Sequence, residues 1–314
     1  MARKVIIDCD PGIDDAVALV MALFDPRLDV LAVTTSAGTV PAEQSAKNVQ
    51  SLIEKLDPPR FPRVGLGTDP ENAPVLDESE LHGSDGLGNL SLSSIDRQHL
   101  MPSEKLIVDR IKSDSGRVTV LCLGPLTGIA RAMQKDPSII AQIDRIVVVG
   151  GAVPGCGDVT PAAEFNMYFD PTSANRVLRS ATTKTLLPLE MIQQVRFDLD
   201  LISNLPLKYT RAGGLLHSML SHMFRSYRQL RGMEAIFLKG VIGVAYMLEP
   251  ELFQCEQLSV SVEEQGDVTR GATIVDRRPH APVSRDLEIV SGVDAQGVRD
   301  LVIRTLRYAG QCSE

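Results

Sequence analysis

The chain has 314 residues, 44% of them hydrophobic, and a formal net charge of −8. That is enough apolar material for a sizeable core, in one large domain or two modest ones. Acidic and basic residues are mixed along the length without a basic block, and there is no Trp and only 4% aromatics, which argues against nucleic acid or an anionic membrane as the main partner.

The first stretch, Val5 to Ile7, is an apolar run that reads as a buried strand, and Pro11-Gly12 ends it. No signal peptide precedes it, and no apolar run approaches the roughly 20 residues of a spanning helix. A helix from Asp14 to Phe24 is expected next, then a strand over Leu28 to Thr35 and an amphipathic helix over Ala42 to Leu56 with Pro41 in its first turn. Arg63 to Gly67 reads as a short strand. The irregular stretch Thr68 to Met101, with His82-Gly83-Ser84-Asp85-Gly86-Leu87-Gly88 inside it, is long enough to be functional or mobile. A helix over Ser103 to Lys112, a strand over Arg117 to Leu123 cut by Gly124-Pro125, and a helix over Leu126 to Gln134 follow. Next come a strand over Arg145 to Val149, a Gly/Pro-rich loop from Ala152 to Pro161, and a helix opened by Asp170-Pro171. Thr185 to Leu189 is the next strand, and helical material fills Leu199 to Leu248. Alternating segments at Gln257 to Glu263, Ala272 to Asp276 and Leu287 to Val290 lead to a last helix, Asp294 to Tyr308.

Strands that alternate with helices imply βαβ units and right-handed crossovers. The expected fold is one α/β domain over residues 1–314, a doubly wound, mostly parallel open sheet flanked by helices. Cys9, Cys122, Cys156, Cys255 and Cys312 form no C-x-x-C pair and read as thiols of a reducing, cytoplasmic compartment.

Four carboxylates, Asp8, Asp10, Asp14 and Asp15, fall within eight residues at the end of the first strand. Asp8 and Asp10 share a strand face. Asp14 and Asp15 stand in a first helical turn, where the helix dipole favours negative charge. Such crowding is costly unless a cation binds or some carboxylates stay protonated, and hard oxygen ligands point to calcium or magnesium. The loops at Ser36–Thr39, Leu123–Pro125 and Gly150–Asn166 lie at the same sheet end, where open α/β sheets bind ligands.

These residues resemble the inosine-uridine preferring nucleoside hydrolase family. The pattern D-x-D-P-G-x-D-D-A is present as Asp8, Asp10, Pro11, Gly12, Asp14, Asp15 and Ala16. The likeness continues through Thr34-Thr35-Ser36-Ala37-Gly38, the His82-Gly83 loop, Leu123-Gly124-Pro125-Leu126-Thr127, Ala163-Glu164-Phe165-Asn166 with Asp170-Pro171, and the run from Ala245 to Leu252. It implies a Rossmann-like sheet, cleavage of the N-glycosidic bond of purine or pyrimidine ribonucleosides to ribose and base, a bound calcium ion, and a homodimer or homotetramer. By resemblance Asp10 and Asp15 ligate calcium with the Leu123 carbonyl, and Asp10 is also the base for a metal-activated water. Asp14, Glu164 and Asn166 hold ribose hydroxyls. His82 reads equally as a residue near the base or as a solvent-exposed loop histidine, and Phe165 either lines the pocket or packs.

The sequence departs from the family pattern in three places. The Asn that follows Ala-Gly is Thr39, the Gly-Asn of the second loop is Gly157-Asp158, and the C-terminal His-Asp-Pro reads Lys239-Gly240-Val241. A lost carboxylate weakens a calcium site. Three outcomes are open: Asp158 replaces the ligand, the Lys239 ammonium pairs with the four aspartates in place of the ion, or Lys239 points to solvent. A catalytically weak homologue that binds a nucleoside or a partner is the alternative function. A haloacid-dehalogenase-like reading of Asp8-x-Asp10 fits less well, because Pro-Gly and a second acidic pair follow at once. Tyr227 and Phe224, near Arg225, are candidates to stack on a base.

Overall fold

The apolar run at the N-terminus becomes the centre of a nine-stranded sheet. The computed structural model describes residues 2–92, 100–153, 157–278, 280 and 287–314. The strands are β1 (Arg3–Cys9), β2 (Leu28–Thr35), β3 (Arg63–Leu66), β4 (Met101–Pro102), β5 (Val118–Cys122), β6 (Arg145–Val149), β7 (Lys184–Leu187), β8 (Phe253–Gln257), β9 (Ser259–Val262), β10 (Thr273–Asp276) and β11 (Leu287–Val293). The large sheet runs in the order β4-β3-β2-β1-β5-β6-β7-β11-β8. Its neighbours pair in parallel except β11 and β8. This is the doubly wound, mostly parallel α/β sheet expected from the alternation of elements.

Because β1 is covered on both faces, its residues divide between two cores. Val5, Ile7 and Cys9 pack with the helices Ile13–Phe24, Arg211–Arg231, Lys239–Leu248 and Ala295–Cys312. Ile6 packs with Ser103–Ser113, Thr127–Lys135 and Pro171–Leu178. Both faces being apolar, the strand reads as a continuous hydrophobic run rather than an alternating one. Each fully buried aliphatic side chain here contributes roughly 1.5–3 kcal/mol over exposure.

Two segments differ from expectation. The stretch Leu199 to Leu248 is three helices, Asp200–Asn204, Arg211–Arg231 and Lys239–Leu248. Pro206 stands in the first gap, and Gly232, at φ 63°, ends the long helix with its N–H returned to Arg228. The segment Gln257 to Glu263 is divided between sheets: β8 joins the large sheet antiparallel to β11, whereas β9 pairs with β10 in a separate two-stranded ribbon. That ribbon leans on the loop after β6, through a bridge between Ala272 and Ala163.

Cys9, Cys122, Cys255 and Cys312 are free thiols, and Cys156 lies outside the described residues. Among the described residues no helix is long and apolar enough to cross a membrane.

Candidate active site

At the carboxyl ends of β1, β2, β5 and β6 the chain opens into a cleft of about 660 Å³, open to solvent. Its floor holds Asp10, Asp14 and Asp15, with Thr39, Leu123, Phe165, Asn166, His82 and Lys239 around them. Asp158 is at the rim, and one helix contributes Met223, Tyr227 and Arg231.

Asp10 is locked in place. Its Oδ2 accepts the Thr39 N–H at 2.6 Å and the Thr39 hydroxyl at 3.1 Å. Two glycines crowd it: a Cβ at Gly38 would fall 2.0 Å from Oδ2, and one at Gly124 would fall 2.3 Å from Oδ1. Only bare backbone fits beside this carboxylate. Asp15 reaches back to accept the Asp10 N–H at 3.3 Å. Asp8 lies beneath, with one oxygen on the Thr34 hydroxyl at 2.6 Å and the other, Oδ2, buried without a partner.

Burial and mutual repulsion act on all three. Asp8 is pushed up to about 7, chiefly by burial, with the Thr34 hydrogen bond opposing and Asp10 adding repulsion. Asp10 also rises to about 7, again chiefly by burial, with the Thr39 N–H opposing. Asp15 is raised well above the carboxylate range by burial, then by Asp14 and Asp10. The carboxylates that line the cleft floor, Asp10, Asp14 and Asp15, form an all-oxygen donor set that fits a hard cation. Among the described residues no three His, Cys, Asp or Glu side chains gather closely enough to hold an ion alone. Asp10, Asp15 and Leu123 line this floor together.

His82 is buried, not a solvent-exposed loop residue. Its Nδ1 accepts the Ile13 N–H at 3.1 Å, at the start of the helix Ile13–Phe24. Because the donor is a backbone N–H, the ring proton sits on Nε2, which is the group His82 offers to the cleft. Burial lowers its pKa, opposed by Asp14.

On the opposite wall, Glu164 caps the helix Phe165–Phe169. Its Oε2 accepts the N–H groups of Gly151 at 3.0 Å, Asn166 at 3.0 Å and Met167 at 3.4 Å. Asn166 donates its side-chain amide to the carbonyls of Leu123, at 2.8 Å, and Val149, at 2.9 Å. What Asn166 turns to a ligand is thus its amide oxygen. Phe165 stacks on Phe169 and lines the cleft.

Lys239 does enter the cleft, but its partners are not the four aspartates. The ammonium donates to Asp158 at 2.5 Å and Glu164 at 3.1 Å, and these are its ion pairs among the described residues. Asp158 is therefore occupied by Lys239. Where the family pattern has Asp, Gly240 presses on the first helix: a Cβ there would lie 2.4 Å from Asp15 Oδ1.

Tyr227 lines the cleft with the Arg231 guanidinium 5.0 Å from its ring centre. Phe224 and Arg225 belong to a different groove. Sequence reasoning missed Met223 and Arg231, although positions 223, 227 and 231 share a helix face by their spacing of four. It also treated Thr39 only as a departure, whereas Thr39 is what holds Asp10.

The inosine-uridine preferring nucleoside hydrolase family model matches residues 5–300. A pyrimidine-specific ribonucleoside hydrolase, RihA of Shewanella sp. (strain MR-7), is 32% identical over 98% of this chain and 96% of its own length. A non-specific one, RihC of Salmonella enteritidis PT4 (strain P125109), is 33% identical over 97% and 98%. Among solved structures, a purine-preferring ribonucleoside hydrolase from Gardnerella vaginalis superposes with a TM-score of 0.90 at 26% identity, covering 99% of both chains. The three differ in base preference, so likeness to them does not carry one over.

Proposed function

This chain belongs to the inosine-uridine preferring nucleoside hydrolase family, and from that premise we propose that its cleft hydrolyses ribonucleosides to ribose and free base with Asp10 as the general base. The observation that carries the reading is Asp10 itself, a buried carboxylate fixed at the cleft floor by both Thr39 donors. With Oδ2 held, Oδ1 is the oxygen free to take the proton of the water that attacks the anomeric carbon. Asp14 and the Asn166 amide oxygen accept sugar hydroxyls, the carboxylate giving the stronger, charge-assisted bond. As the glycosidic bond breaks, positive charge grows on the sugar ring, and the fixed negative charge of Asp10, Asp14 and Asp15 stabilises it. Phe165 and Tyr227 give the base apolar surface, and the His82 Nε2–H is a neutral donor for it.

Asp10, Asp15 and the Leu123 carbonyl would hold calcium. When bound, the ion supplies charge neutralisation and lowers the pKa of a coordinated water. Family resemblance further supports a homodimer or homotetramer in the cytoplasm, a state that sedimentation would measure.

The test is release of base from inosine, adenosine, uridine and cytidine, with calcium present and after chelation, alongside metal analysis. Calcium-dependent release supports the reading. Binding of nucleosides without any turnover would replace it with that of a nucleoside-binding homologue.

A further inference from the structure

Lys239 is a cation on the wall of a cleft with an acidic floor, and its hydrogen bonds use up both carboxylates beside it. Asp158 uses Oδ1 for the Phe165 N–H, at 2.8 Å, and Oδ2 for Lys239. Glu164 uses Oε2 for three backbone N–H groups and Oε1 for Lys239. Each oxygen of the two carboxylates already has a donor. Glu164, whose side chain is 0% exposed, does not reach the cleft surface. Lys239 itself lines the cleft, with its ammonium on Glu164 and 6.0 Å from the ring centre of Phe165, another lining residue. The next residue, Gly240, has no side chain and no room for one beside Asp15. Two successive positions at the start of the helix Lys239–Leu248 thus offer a ligand no free acceptor.

We propose that Lys239 sets the sugar specificity of this cleft by turning one stretch of its wall from acceptor to donor, so that the riboside hydroxyl facing it becomes dispensable. The inference rests on the nucleoside hydrolase reading above and names the substrate class more closely: ribosides together with those that lack this one hydroxyl. A hydroxyl that donates to a free carboxylate is strongly required, because removing it strands a desolvated charge. A hydroxyl that faces an ammonium already paired with two carboxylates can only accept. Its removal strands nothing, since one of the three ammonium N–H groups simply returns to water. The hydroxyls that face Asp14 and the Asn166 amide oxygen keep their acceptors and stay essential.

The experiment compares kcat/KM for inosine and uridine with that for their 2′-, 3′- and 5′-deoxy forms. It uses the intact protein with calcium and the variants Lys239→Arg and Lys239→Met. For the wild type and Lys239→Arg, one of the three deoxy forms should be cleaved within a few-fold of its parent. In Lys239→Met, Glu164 is released to accept, and discrimination against that same form should rise by about tenfold or more, as expected for a bond to a charged group. A wild type that loses more than about tenfold for all three deoxy forms overturns the proposal, even if Lys239→Met does not fold. So does a Lys239→Met variant that folds and discriminates no more than the wild type. If no parent riboside is cleaved, the hydrolase reading has failed separately, and the same ratios are read from binding of these compounds by calorimetry.

Discussion

On one side of the cleft Asp8, Asp10, Asp14 and Asp15 crowd together, with no ion pair to any of them among the described residues. On the other, Asp158 and Glu164 share the ammonium of Lys239. Of the two paired carboxylates only Asp158 is lowered; Glu164 is still raised by burial, with Lys239 opposing. Burial and repulsion carry Asp8 and Asp10 up to about 7. Burial would also raise Asp158, but Lys239 and the Phe165 N–H more than offset it and bring it below the ordinary carboxylate value. A site that supplies its own counter-charge is complete as folded, whereas one that leaves its charge uncompensated is built to receive something.

The contrast can be broken from either side. The largest effect is expected for Asp10→Asn, which keeps the size and the Thr39 contacts but removes the base. Base release should fall by about 10³-fold, with the unfolding midpoint unchanged or raised, because a charge leaves a crowded set. Next is Lys239→Met, which strips the opposite wall of its cation and leaves Asp158 and Glu164 facing each other. Denaturant unfolding should show a loss of about 2–4 kcal/mol.

The pH dependence of that loss follows from the shifts. Asp158 is lowered on folding, so its contribution is present at neutral pH and lost as pH falls through its folded value. Lys239 is raised well above 10.5, so its contribution is lost only as pH rises beyond that. Glu164 is raised by burial even beside Lys239, so the difference in stability between wild type and Lys239→Met should be largest at and above neutrality and shrink as pH falls through the Glu164 value and then the Asp158 value. A difference that peaked at low pH would contradict the pairing.

On the aspartate side, calcium added to chelated protein should stabilise it by about 2.7 kcal/mol at a hundred times its Kd, and Asp15→Asn should abolish most of that gain. The smallest effect is expected at the seam between the two groups. Gly240→Ala places a methyl against Asp15 and should cost about 1–2 kcal/mol in thermal unfolding.

The mostly parallel character of the sheet and the loops that converge on the cleft were legible because strand and helix periodicities alternate so regularly from Val5 to Leu189, whereas the order of the strands was not. Their boundaries moved by a residue or two, and the stretch Leu199 to Leu248 broke at Pro206 and Gly232, both visible in the sequence but passed over as helix interior. The aspartates were legible as a cluster because local spacing alone gathers them. The partners of Lys239 were not, since Asp158 and Glu164 lie 81 and 75 residues away along the chain. No periodicity reports a contact made through the topology of the sheet. Thr39 illustrates the same limit, as its role depends on where Asp10 points.

The β9–β10 ribbon, detached from the large sheet, has a consequence of its own. It touches the wall that carries Glu164 through Ala272 on Ala163, through Thr273 against Gly151 and through Gly271, whose Cα region abuts Tyr168 and Met167. Glu164 sits between those contacts. Amide hydrogen exchange in the ribbon and in the segment Glu164 to Phe169 should accordingly rise and fall together. Drift in the ribbon's sequence would then retune the sugar wall without altering any residue that meets the substrate.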